Sequence, residues 1–274
     1  MTNKLLLINS YISCGKAGLG AMTPVLAHMG YDLYTLPTLL ASSSLDQDDL
    51  QLYDTTDYME QALRSWQDLG CGFDAITTGF IGSERQAKLV GLFCDAQRKA
   101  GISVFVDPVL GTQGRRFRGI DKNAVNYLRQ LLDVADVAMP NYTEACLLTG
   151  APFAEAQGMS ETEAYRLLDC LRRMCPKSVV ISNTTVDGAG AVIGYDHERD
   201  ERFLIGFERL LPAPMGVTDI FYAALVGKKL AGLTLEDATA YGMHLVKDLI
   251  RKSQGADGVS EGIPIERYLG SLRR

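Results

Sequence analysis

Hydrophobic and polar positions along the chain follow two alternating periods. Short apolar runs, "KLLLIN" (4–9), "YDLYTL" (31–36), "DAITTG" (74–79), "ISVFVDP" (102–108), "DVAMPN" (136–141) and "SVVISN" (178–183), read as strands. Between them, apolar residues recur every three or four positions up to His28, from Tyr58 to Leu69, from Ser83 to Ala100, over 123–135 and over 161–174, which predicts amphipathic helices. Several strands are too apolar to have a solvated face, so the pattern predicts an α/β fold: a mostly parallel central sheet with helices on both faces. The stretch "GAGAVIGYDHERDERFLIGF" (188–207) differs, with two short strands flanking a charged turn, and predicts an antiparallel edge hairpin. No Pro/Gly/Ser-rich linker divides the chain, so residues 1–274 are expected to form a single domain. The polar connection from Pro37 to Thr56 exceeds a usual crossover loop and is expected to be a lid, a binding segment or a solvated insertion.

Composition narrows the class of partner. The 274 residues are 47% hydrophobic, enough for one substantial core, and the net charge of -6 without a long Lys/Arg cluster argues against a nucleic-acid partner. The apolar run Leu5–Ile8 is too short for a signal core, and no stretch approaches eighteen uncharged apolar residues, so no membrane partner and a cytoplasmic location are expected. The six cysteines form no Cys-x-x-Cys pair and the three histidines lack metal-ligand spacing, which predicts reduced thiols and no zinc site.

Two glycine patterns do not carry nucleotide chemistry. "GKAGLGAM" lacks the Gly-Lys-Ser/Thr ending of a P-loop, and "GAGAVIG" is followed by a strand where a dinucleotide fingerprint needs a helix. Better candidates stand at strand ends, where an open α/β sheet places its ligands. Asp107 follows one apolar strand, Asn141 and Glu144 follow another, and Asp219 opens the helix "DIFYAALVG" after "PAPMGVT". Asn141 with Glu144 has the spacing of a capping box, and Asp219 that of a helix cap. The same acids and amide also suit a site for Mg2+ and polyphosphate, which prefers hard oxygen ligands.

Taken together, "INSYISCGKAGLGAMTPVLAHMG", "TTGFIGSERQ", "DPVLG", "PNYTEACLLTG" and "GVTDIFYAALVG" resemble motifs of the ribokinase-like superfamily and, within it, the bacterial pyridoxal/pyridoxamine kinases. The resemblance covers almost the whole chain. It implies ATP- and Mg2+-dependent phosphorylation of the hydroxymethyl group of a B6 vitamer by a homodimeric enzyme. Asp219 would then be the base, and the N–H groups of Gly216, Val217 and Thr218 an anion hole. Asn141, Glu144, Ser182 and Asn183 would contact ATP, with Asp107 and Glu144 beside the metal. Ser10, Ser43, Leu45 and Phe80 would line the vitamin site, Phe80 replacing the family's tyrosine.

Three positions depart from the family pattern. Thr218 replaces the second glycine of Gly-x-Gly-Asp, Ser43-Ser44-Leu45-Asp46 stands for Ser/Thr-His-Thr-Gly, and Thr112 replaces an acid. Two further readings therefore stand beside the first: a hydroxymethylpyrimidine kinase, or a degenerate member that binds ligand without turnover.

Overall fold

The computed structural model describes residues 4–43, 50–118, 120–154, 158–175, 177–210, 214–253 and 262–272. The chain begins with β1 (Lys4–Ile12), α1 (Leu19–His28), β2 (Asp32–Ala41), β3 (Leu52–Asp54), α2 (Thr56–Asp68), β4 (Ala75–Thr78), α3 (Glu84–Lys99) and β5 (Ser103–Val106). It continues through β6 (Gly111–Thr112), β7 (Arg115–Arg116), α4 (Ala124–Leu132), β8 (Val137–Ala138), α5 (Tyr142–Thr149) and α6 (Glu161–Arg172). The last elements are β9 (Ser178–Val186), β10 (Ala189–Asp196), β11 (Glu201–Phe207), α7 (Val217–Leu230) and α8 (Leu235–Ser253), followed by short 3-10 turns. Among the described residues, nine strands form one sheet in the order β11-β10-β9-β8-β5-β4-β1-β2-β3, and β6 pairs with β7. By internal contacts the chain divides into two compact units, Met1–Thr77 with Leu210–Arg274, and Thr78–Arg209.

In the first unit, β1 and β2 pair in parallel, and Leu5 to Ile8 are wholly buried, as an all-apolar run requires. Helix α7 is buried continuously from Ile220 to Gly227 and packs against α1 and α8. The β1–β2 register slips between Asn9 and Tyr11, opposite Pro37 and Leu40, so that β2 carries one extra residue. Pro37 has no N–H to give to a ladder, and such a bulge is how a strand accommodates it.

In the second unit, β5, β8 and β9 pair in parallel, while β9–β10 and β10–β11 are antiparallel. The edge hairpin predicted over 188–207 is therefore present. Asp187 and Gly188, with φ of 48° and 80°, supply the left-handed pair of a tight β9–β10 turn. Helix α3 begins where Ser83 accepts from the Gln86 N–H (3.3 Å), and α6 begins with a full capping box between Ser160 and Glu163.

Two boundaries differ from expectation. The connection from Pro37 to Thr56 is not all loop: "PTLLA" completes β2, and Leu52–Asp54 adds an antiparallel third strand beside it. Its serines and aspartates obscured the apolar Leu39 and Ala41, which are buried. Helix α7 starts at Val217, two residues before the predicted Asp219.

The Ser83 cap predicts that Ser83→Ala lowers stability by about 1 kcal/mol. A urea titration should show a lower midpoint at unchanged slope.

Candidate active site

In the first unit, the N-terminus of α7 is set by a backbone close approach. Gly216 caps the helix at φ 74°, and a Cβ there would lie 1.6 Å from the carbonyl oxygen of Lys16. Both the left-handed conformation and the contact demand glycine. The first helical hydrogen bond runs from Ile220 N–H to Gly216 O (3.0 Å), so the N–H groups of Val217 and Thr218 precede the ladder at the positive end of the helix. Thr218 is the second helical residue and its side chain is exposed. Its departure from glycine thus falls where the backbone is helical; the left-handed residue of this turn is Gly216.

Asp219 follows in the same first turn and is partly buried. Burial pushes its carboxyl up to about 6, opposed by hydrogen bonds from the Gly18 N–H, the Asn9 side chain and its own N–H. The Asn9 amide lies 3.5 Å from Asp219 Oδ1. Gly18 reaches this position with φ 55°, its Cα so close to Ser10 that a Cβ would stand 2.3 Å from the Ser10 carbonyl oxygen. Ser10 is buried beside it and donates its N–H to Asn9 Oδ1 (2.8 Å). The structure therefore brings Ser10, Gly216, Val217, Thr218 and Asp219 together and adds Asn9 and Gly18. The signals for those two were present: a polar pair closing the apolar strand "KLLLIN", and a glycine pattern weighed only as a P-loop. Ser43 is described and partly buried, whereas Leu45, like Ser44 and Asp46, lies outside the described residues.

In the second unit, a different cluster gathers at the N-terminus of α5. Asn141 Oδ1 accepts from the Glu144 N–H (3.0 Å) and Glu144 Oε2 from the Asn141 N–H (2.8 Å), a complete capping box. Glu144 is 2% exposed, and its Oε1 accepts from the Leu110 N–H (3.0 Å). Asn141 donates its amide to Gly111 O (2.9 Å), and Thr143 Oγ1 accepts from the Gly114 N–H (3.0 Å). Three hydrogen bonds from the cap and first turn of α5 thus fasten the β6–β7 hairpin, whose bend is made by Gln113 and Gly114 at φ 51° and 74°. Thr112 is an exposed residue of that hairpin. Leu110 and Thr143 were not anticipated, because backbone donors and a lone threonine leave no pattern in sequence.

Asp107 closes β5, nearly buried, with its N–H on Thr78 O (2.9 Å). Ser182 is buried and bridges to Asn141, donating its N–H to Pro140 O (3.0 Å). Asn183 follows at φ 55°, exposed, where the β9–β10 register shifts. Phe80 is buried just beyond β4. Asp107 directly follows β5, and Asn141 caps α5 shortly after β8 with Glu144 in that helix's first turn, as predicted; Ser182 and Asn183, expected at a strand end, instead lie inside β9, which runs on to Val186 because its pairing with β10 continues past the register shift.

A family model described as phosphomethylpyrimidine kinase matches residues 14–262. A pyridoxine/pyridoxal/pyridoxamine kinase of Bordetella avium is 28% identical over 253 residues, 88% of this chain and 83% of that protein. A Schizosaccharomyces pombe protein named as a pyridoxal kinase is 28% identical over 198 residues, 69% of this chain but only 60% of its own length. A Bacteroides thetaiotaomicron protein named as a phosphomethylpyrimidine kinase and crystallised with pyridoxal superposes with a TM-score of 0.93 at 28% identity, covering 99% of this chain and 96% of that one. With a family match over nearly its whole length and the sheet order described above, the chain belongs to the phosphomethylpyrimidine kinase family.

Proposed function

We propose that residues 1–274 act as one kinase domain that transfers a phosphoryl group from ATP to the hydroxymethyl group of a B6 vitamer. One observation carries this reading: an ionisable carboxyl, Asp219, sits in the first turn of α7 among the N–H groups that open the helix. A base and an anion-binding helix terminus in one turn are what phosphoryl transfer to an alcohol requires. The choice of vitamer as acceptor is supported by the names of the Bordetella relative and by the pyridoxal in the Bacteroides structure. Asp219 accepts the proton of the attacking hydroxyl, while Gly216, Val217 and Thr218 offer N–H groups to the charge developing on phosphate. Ser10, Ser43 and Phe80 hold the vitamer. Asn141, Ser182 and Asn183 serve the nucleotide, and Glu144 positions the hairpin after Asp107.

The donors present decide how Mg2+ fits. Among the described residues no group of three or more His, Cys, Asp or Glu side chains is placed to hold a metal, and Glu144 gives both oxygens to backbone N–H groups. The fit is to an ion carried by nucleotide phosphates and water, with Asp107 as the nearby carboxylate, which is the usual habit of Mg2+. When bound, that ion neutralises phosphate charge. The reading also includes a cytoplasmic homodimer. Among the described residues no helix is long and apolar enough to cross a membrane. Tyr11, Leu40 and Tyr53 stand in register on β1, β2 and β3, all exposed, the kind of apolar row that a second copy covers.

The direct test is an ADP-release screen across pyridoxal, pyridoxine, pyridoxamine, hydroxymethylpyrimidine and simple sugars. Mg2+-dependent release with a B6 vitamer is expected; release only with hydroxymethylpyrimidine, or none at all, would overturn the assignment.

Asp219→Asn should lower turnover by roughly 10² to 10⁴-fold. The ionised side chain is the active form, so wild-type kcat/KM should rise with pH through about 6. Because the folded value lies above the ordinary 3.8, this group favours the folded state at low pH and loses that contribution as pH rises through about 6. Asp219→Asn should therefore raise the melting temperature at pH 8 while removing activity, and a fall in both would mark the carboxylate as a structural cap.

Glu144→Gln turns an N–H group toward one of two backbone donors. Stability should fall by about 1–3 kcal/mol, with the Mg2+ concentration for half-maximal rate little changed. A raised Mg2+ requirement at full stability would instead make Glu144 a ligand. For the dimer, sedimentation should give two chains for the wild type and one for Tyr53→Lys; a monomeric wild type refutes it.

A further inference from the structure

Asn9 is a buried polar residue of β1, 3% exposed. Its hydrogen-bond partners determine which way its amide faces. Oδ1 accepts from the Ser10 N–H at 2.8 Å, and a nitrogen there would meet a donor, so Nδ2 must face the other way. On that side Nδ2 lies 3.5 Å from Asp219 Oδ1 and from Met22 Sδ. The β1–β2 bulge sets this arrangement, since the register slips at Asn9 opposite Pro37.

We propose that Asn9 is a positioning residue for the phosphoryl-transfer reaction: its amide, locked by the Ser10 N–H, holds the Asp219 carboxylate in place and favours its charged form. The inference rests on the reading of Asp219 as base. A 3.5 Å contact is long, and such contacts tighten in the reacting complex. The partner donor, the Gly18 N–H, belongs to backbone pinned against Ser10 and cannot be tuned by a side chain. Asn9 is thus the side chain through which this carboxylate is adjusted. Burial raises this carboxyl, and the Gly18 N–H and the Asn9 amide work against it.

Among the described residues of the elements packed here, β1 ends in Asn9, Ser10, the exposed Tyr11 and Ile12, α1 has no acidic residue in its first turn, and α7 has none there besides Asp219. In the loop before α1, Lys16 is paired with Glu266 of the 3-10 turn Ile265–Arg267, and none of the variants below changes either residue.

The test is a 13C NMR titration of aspartate carboxyl carbons in the full chain, with the Asp219 signal identified by its loss in Asp219→Asn. Asn9→Leu removes the donor and should raise the Asp219 titration by about one pH unit, the scale of one hydrogen bond to a charged group. Asn9→Asp keeps an acceptor for the Ser10 N–H, so it preserves the local fold, but puts a second carboxylate beside the first. The pair's upper titration should then lie about two units or more above the wild-type value. Met22→Leu removes only the sulfur contact and should leave the titration in place. In parallel, the acid limb of the wild-type kcat/KM profile should move with the titration in each Asn9 variant. Unmoved titrations in both Asn9 variants, or an equal shift in Met22→Leu, would overturn the role of Asn9. Absence of wild-type turnover with every vitamer would overturn the kinase reading instead, and the carboxyl titration would still decide whether Asn9 governs Asp219.

Discussion

The entry of α7 depends on one steric constraint, the contact of Gly216 Cα with the Lys16 carbonyl. No side chain is tolerated at that distance, so the start of α7 is tied to the loop that precedes α1. The same loop two residues later presents the Gly18 N–H to Asp219, again through a contact that excludes a Cβ. Two glycines therefore join the end of β1, the start of α1 and the start of α7 through backbone alone. Backbone contacts of this kind leave little rotational freedom, which suits a site that must hold a base and helix N–H groups in one geometry.

Asp219 shows how opposing terms are balanced there. Burial disfavours the charge, and three hydrogen bonds restore part of it, leaving a carboxyl near 6 that is ionised at neutral pH yet more basic than an exposed aspartate. A fully exposed carboxylate would be ionised more readily but would be a weaker proton acceptor. The cost appears as lost stability above that pH, the familiar opposition between stability and function at strained or desolvated sites.

Much of this was legible from sequence because it follows from periodicity. The alternation of apolar runs with helical stretches identified the parallel strands, and the charged turn at 197–202 identified the edge hairpin. The spacing of Asn141 and Glu144 pointed to a helix start, and the acids and amide Asp107, Asn141, Glu144 and Asp219 pointed to the candidate chemistry, whereas Ser182 and Asn183 came from the family resemblance alone. What escaped was set by tertiary contact. Leu39 and Ala41 look like part of a polar loop until β3 pairs beside them, and Asn9 looks like a strand terminus until its amide meets a residue 210 positions away. Glu144 was read as a choice between cap and ligand. Its second oxygen accepts from Leu110, a backbone group that no sequence pattern marks.

Thr218 illustrates why a motif should be judged by backbone conformation and not by letters. Glycine at this position is needed only if φ is positive or a ligand must approach the Cα directly. In this chain the positive φ belongs to Gly216, and Thr218 already lies in the helix, where a β-branched residue costs only a few tenths of a kcal/mol. Its N–H remains ahead of the first helical hydrogen bond, so the substitution adds an exposed side chain without removing a backbone donor. At Thr218, the departure nearest the proposed base, the geometry of the turn does not require glycine, and the position of this turn that does require it, Gly216, carries one.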